Sequence, residues 1–158
     1  MKSKILVLGI GNLLMGDEGI GIHIVREFEK VNPFKEFVDV VDGGTGGFHL
    51  LSYFDDYKKI IIVDAGLGDK PAGTIEIIKP KYSSDFPKTL TAHDIGLKDL
   101  IDSASILGDL PDIRLIIVYI DNFQSLDLEI SDRIKSVIPL AVQSIISAIE
   151  ELSYNSKN

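Results

Sequence analysis

The sequence predicts an α/β domain whose sheet is mainly parallel and covered on both faces. Two observations carry that prediction. Continuously apolar runs of strand length, Ile5–Leu8, Ile60–Val63 and Leu115–Tyr119, suit strands buried on both sides. Between them lie stretches of helical period closed by turn residues, the alternation expected of strand–helix–strand units.

Each element follows in order. After the first run and a glycine-bearing turn, residues from Glu18 to Val31 set Ile20, Ile24, Val25 and Phe28 at helical spacing and stop before Asn32-Pro33. Phe37 to Val41 reads as the second strand, entering the loop Asp42-Gly43-Gly44-Thr45-Gly46-Gly47, and a short helix through Leu50, Leu51 and Phe54 follows. The third strand, Ile60–Val63, is expected to end in Asp64-Ala65-Gly66. A fourth, Gly73 to Lys79, alternates less cleanly, and an irregular stretch runs from Pro80 to Thr89. Thr91-x-x-Asp94 resembles a capping box opening a helix toward Leu107. Beyond the fifth strand, Ser131 to about Leu152 places Ile134, Val137, Ile138, Ala141, Ile145 and Ile149 on one helical face, with Pro139 expected to kink or split it.

Composition narrows the function. The 158 residues suit one domain spanning 1–158, and 45% hydrophobic with 25% charged residues is the balance of a packed protein. Sixteen basic against 24 acidic residues give a net charge of -8, with no basic tract, which argues against a nucleic-acid partner. The sequence shows no continuous apolar run of membrane-spanning length, and Met1–Lys4 leads into the first strand rather than a cleavage site. No membrane partner and a cytoplasmic location are therefore expected. With no cysteine, the chain has no thiol nucleophile, thiolate metal site or iron–sulfur cluster.

Gly9-Ile10-Gly11 after the first strand invites a dinucleotide-binding reading. Two features oppose it. Leu14 stands where a third glycine belongs, and Asp17 and Glu18 open the next helix where a pyrophosphate would sit. Glu18, Asp42 and Asp64 instead follow the first three strands, which places them at the carboxyl edge where open α/β sheets bind ligands. His93, ahead of a helix, can fold over the same edge. Two carboxylates and a neutral imidazole suit a borderline divalent cation such as nickel or zinc. Spacing alone leaves the plainer alternatives open: Asp64 as a strand-end cap, Glu18 as an ordinary first-turn acid. His23 and His49 read as surface or packing histidines, since His23 lies five positions after Glu18 and off its helix face.

The stretch from Gly9 to Gly21, GIGNLLMGDEGIG, resembles the opening signature of the hydrogenase maturation endopeptidases, proteases that trim the C-terminus of the large subunit of nickel–iron hydrogenases. The resemblance continues through Asp42–Gly47, Ile62-Val63-Asp64-Ala65, Thr91–Leu97 and the proline-interrupted final helix. It implies a three-layer α/β/α sandwich with a twisted, mainly parallel sheet of about five strands. It further implies that Glu18, Asp64 and His93 bind metal, and that the Asp42 loop belongs to the substrate cleft. The partner would be the hydrogenase large-subunit precursor, which carries nickel as part of the substrate, with other divalent cations able to substitute in the isolated protein. Nothing marks a Ser–His–acid triad, so hydrolysis has to use water activated by the metal or by a carboxylate, for which Asp17, Glu18, Asp64 and Asp42 are the candidates. The rival reading is a non-proteolytic nucleotide- or metal-binding α/β module.

Overall fold

The computed structural model describes residues 4–46, 48–81, 83–85, 95–108, 110–121 and 128–155. Five strands, β1 (Ile5–Gly9), β2 (Val38–Asp42), β3 (Lys59–Gly66), β4 (Ile75–Ile78) and β5 (Asp112–Tyr119), form one sheet in the order β2-β1-β3-β5-β4. All pairings are parallel except that of β4 with β5, which makes β4 an antiparallel edge strand. Local sequence carries no strand direction; the connection 67–74 crosses the carboxyl end of β5, where Gly73 N donates to Tyr119 O at 2.8 Å.

The helices are α1 (Ile20–Val31), α2 (Leu51–Asp56), α3 (Ile95–Leu107), α4 (Asp132–Lys135) and α5 (Ile138–Asn155). Strand alternation assigns them to two layers. Val7, Ile61, Val63, Ile116 and Val118 pack with Ile24 and Phe28 of α1 and Ile145 and Ile149 of α5. Leu6, Leu8, Ile60, Ile62, Leu115 and Ile117 pack with Phe54 of α2 and Ile101 and Ala104 of α3. This is the three-layer sandwich.

Pro139 splits the last helical stretch. α4 ends at Lys135, the residue whose carbonyl the proline ring four positions on would strike, and Pro139 then occupies the first turn of α5, where its missing N–H costs nothing. The stretch 132–154 is long and apolar enough by composition to cross a membrane. In the fold its apolar face lies on the sheet: Ala141, Ile145, Ile149 and Leu152 are each 0% exposed. Burying each of the three larger side chains is worth about 1.5–3 kcal/mol.

Two expectations need adjusting. β3 does not end at Val63 but runs through Asp64-Ala65-Gly66, paired with Ile117, Val118 and Tyr119 of β5, so Asp64 lies inside a strand. Glu18 sits in a 3-10 turn, Gly16–Gly19, that precedes α1 rather than within the α-helix. The capping box Thr91–Asp94, His93 included, and half of the irregular stretch before it lie outside the described residues.

Candidate active site

The first two crossovers fix where a ligand can bind. α1, between β1 and β2, covers one face; α2, between β2 and β3, covers the other. The chain thus reverses direction beside β1, and the crevice beyond the carboxyl ends of β1 and β3 is the topological switch point.

Backbone hydrogen bonds lock the loops around this crevice. Gly43 N donates to Gly9 O at 2.8 Å, Gly11 N to Gly44 O at 2.8 Å, and Ile10 N to Val63 O at 2.9 Å. Asn12 N reaches Glu18 O at 3.3 Å. Glycine is what permits such closeness. A Cβ on Gly11 would lie 2.6 Å from Glu18 O, and one on Gly21 would lie 2.3 Å from Ile10 O and 2.4 Å from Val63 O. α1 therefore seats its first turn directly on the backbones of β1 and β3, and the turn carrying Glu18 packs against β3.

Two of the predicted residues lie on the elements that border the crevice, Glu18 on the turn before α1 and Asp64 on β3. Glu18 is 7% exposed and Asp64 is 0% exposed. β1 stops at Gly9, opposite Val63, while β3 continues, so Asp64 stands one residue beyond its neighbour's end. Asp64 Oδ1 accepts the Ala65 amide at 2.8 Å. By alternation with Ile60 and Ile62, Asp64 belongs to the face covered by α2 and α3. The link 108–111 from α3 to the amino end of β5 is short, and α3, 13 residues or roughly 20 Å long, therefore begins toward the carboxyl edge. Its first residue, Ile95, follows His93 by two positions in sequence. Among the described residues no group of three or more His, Asp or Glu side chains stands close enough to hold a metal ion; His93, which would be the third, lies outside them.

The remaining candidates have other engagements. Both oxygens of Asp17, which is 7% exposed, accept hydrogen bonds from Ser131, from its amide at 2.7 Å and its hydroxyl at 2.8 Å. Sequence reading missed this contact because 114 residues separate the partners. Asp42 closes β2 with an exposed side chain, ion-paired to Arg26 at 3.1 Å and accepting Gly44 N at 2.9 Å, a turn that shapes the loop beside β1. His49 is exposed. His23 is half-buried on α1, at a groove of about 520 Å³ that Arg26 and Asp132 also line. Burial, then the nearby Arg26 charge, lowers its pKa below the ordinary 6.5 and favours the neutral ring.

Known proteins resemble this chain over nearly its whole length. The family profile described as hydrogenase maturation protease matches residues 22–148. The hydrogenase 2 maturation protease of Escherichia coli is 29% identical over 150 residues, covering 94% of this chain and 92% of that protein. The hydrogenase expression/formation protein HupD of Rhizobium leguminosarum is 31% identical, covering 92% of this chain and 74% of that one. Among solved structures, the hydrogenase maturating endopeptidase HybD from E. coli superposes with a TM-score of 0.81 at 30% identity, covering 94% of this chain and 93% of that one. The chain belongs to the hydrogenase maturation protease family and is a peptide-bond hydrolase of hydrogenase maturation.

Proposed function

We propose that this protease removes a C-terminal peptide from the nickel-loaded precursor of a nickel–iron hydrogenase large subunit, recognising the inserted nickel through Glu18, Asp64 and His93. The observation that carries the reading is the placement of two buried carboxylates, Glu18 and Asp64, on the turn and the strand that border the switch-point crevice between β1 and β3. Oxygen donors of this type, joined by an imidazole, suit a borderline divalent ion. Nickel belongs to the substrate in this account. The enzyme supplies three ligands, too few to hold the ion tightly alone, and the precursor's own ligands complete the shell. Cleavage is thereby tied to metal insertion, because an empty precursor offers nothing for the carboxylates to grip.

Peptide hydrolysis needs a water deprotonated near the scissile carbonyl. A precursor-borne nickel ion or one of the carboxylates Glu18, Asp64, Asp17 and Asp42 would activate that water; Asp17 accepts two bonds from Ser131, and Asp42 is held by Arg26 and Gly44. Replacing Glu18, Asp64 or His93 by Ala tests the ligand set. Each variant should keep its circular dichroism spectrum, lose more than the ~10–100-fold in metal affinity that outer-shell changes cost, and fail to shorten nickel-loaded precursor. Normal processing by the His93→Ala protein would remove His93 from the set.

A further inference from the structure

We infer that Ser131 is a positioning residue for Glu18, acting through Asp17; this rests on the reading of Glu18 as a metal ligand. The turn that presents Glu18 has little intrinsic stability. It is four residues of 3-10 helix, Gly16–Gly19, with no side-chain hydrogen bond capping its start at Met15. Turns of this length have poor hydrogen-bond geometry and do not hold their own shape. The bonds Glu18 N to Met15 O, 3.1 Å, and Asn12 N to Glu18 O, 3.3 Å, close the loop on itself but do not tie it to the segment that enters the final helices.

Asp17 supplies that tie. Its carboxylate, buried at 7% exposure, reaches the exposed Ser131, the N-cap residue of α4, and receives two hydrogen bonds at 2.7 and 2.8 Å. Paired bonds to a carboxylate fix direction as well as distance. The next residue is Glu18, so whatever sets the Asp17 carboxylate sets the orientation of the neighbouring peptide and the place from which the Glu18 side chain starts. Ser131 Oγ also accepts Ile134 N at 3.4 Å, which joins the same hydroxyl to the first turn of α4. The clamp therefore connects the loop after β1 to the chain segment entering the final helices. Through this contact Asp17 holds the turn that carries Glu18.

The experiment measures nickel(II) binding to purified full-length Asp17→Asn, Ser131→Ala, Ser131→Thr, Glu18→Ala and the Asp17→Asn/Ser131→Ala double variant by calorimetric titration, with circular dichroism as the check on folding. Ser131→Ala should weaken nickel binding about 10-fold, the lower end of what outer-shell losses cost. Ser131→Thr, which keeps a hydroxyl donor, should restore it. The double variant should be no weaker than the worse of its two parents, because both act through one contact. A second readout, cleavage of nickel-loaded precursor, should fall in parallel. Wild-type nickel affinity in folded Ser131→Ala and Asp17→Asn, alongside lost affinity in Glu18→Ala, overturns the clamp and leaves the ligand reading standing. Multiplying losses in the double variant also overturn it. Wild-type affinity in Glu18→Ala would instead strike the ligand reading itself.

Discussion

Gly21→Ala puts the close seating of α1 to its most direct test. On helix propensity alone the substitution should stabilise the protein, because alanine is favoured over glycine by about 1 kcal/mol inside a helix. The structure predicts the opposite sign. The new methyl would fall 2.3 Å from Ile10 O and 2.4 Å from Val63 O, whereas ordinary contact begins at 3.4 Å. Both obstacles are backbone atoms of ordered segments, so α1 has to retreat by about 1 Å rather than a side chain swing aside. Ile20, Ile24, Val25 and Phe28, all 0–1% exposed, move with it, and gaps of that size forfeit a quarter to a half of each contact. Overpacking of this kind costs about 1–3 kcal/mol, so against the propensity gain a net loss of about 1–2 kcal/mol is expected. For a chain of this size that corresponds to a fall in melting temperature of roughly 3–6 °C. Gly108, where an added Cβ meets nothing within 4 Å, is the control, and Gly108→Ala should stay within about 0.5 kcal/mol of wild type. Urea and thermal melts of both variants decide the matter. A Gly21→Ala protein as stable as wild type would refute the argument that glycine is there for close approach.

Two further outcomes follow from the ionisable groups. Tyr57 donates its hydroxyl to Asp39 at 2.6 Å, and that bond, with burial and the Asp39 charge, pushes its pKa up to about 12. Because the folded value is raised, the contribution is full below the ordinary value of 10 and is lost as pH rises through 12; phenolate absorbance of wild type against Tyr57→Phe should show one tyrosine titrating late, and a titration at 10 in the folded protein would contradict it. Arg114, 6% exposed in β5, pairs with Asp112 and with Glu151 of α5. Arg114→Ala should cost about 1–3 kcal/mol in urea melts, below the figure for stranding a buried partner, since Glu151 keeps Lys79. The Lys79 bond, then Arg114, lowers the Glu151 pKa, so this tie persists above the ordinary 4.5 and weakens as pH falls through the depressed folded value. An unchanged urea midpoint would show that the pair contributes nothing.

Much of the fold was legible because its signals are local. The runs Ile5–Leu8 and Ile60–Val63 are too short and too apolar for anything but strands covered on both faces, and Pro139 announces its own break. What failed to show depends on partners remote in sequence. Asp64-Ala65-Gly66 looks like a turn in isolation, yet pairing with Ile117–Tyr119 extends β3 through it. Arg114 hides the start of β5, because a cation inside a strand reads as a boundary until Glu151 comes to meet it from α5. The site divides the same way. Glu18 and Asp64 could be placed at the carboxyl edge from strand order alone, whereas Asp17 appeared to be one more candidate base. Only the contact with Ser131 shows how its oxygens are used.

The central claim is that inserted nickel licenses cleavage. Its most direct test is the processing of matched large-subunit precursor preparations, nickel-loaded and nickel-free, by the wild-type enzyme, read by mass spectrometry. The account predicts shortening of the loaded precursor alone, with the nickel-free form intact even in large enzyme excess and short peptides spanning the cleavage site left as poor substrates. Equal cleavage rates in the two preparations would contradict it, while leaving the protease activity untouched.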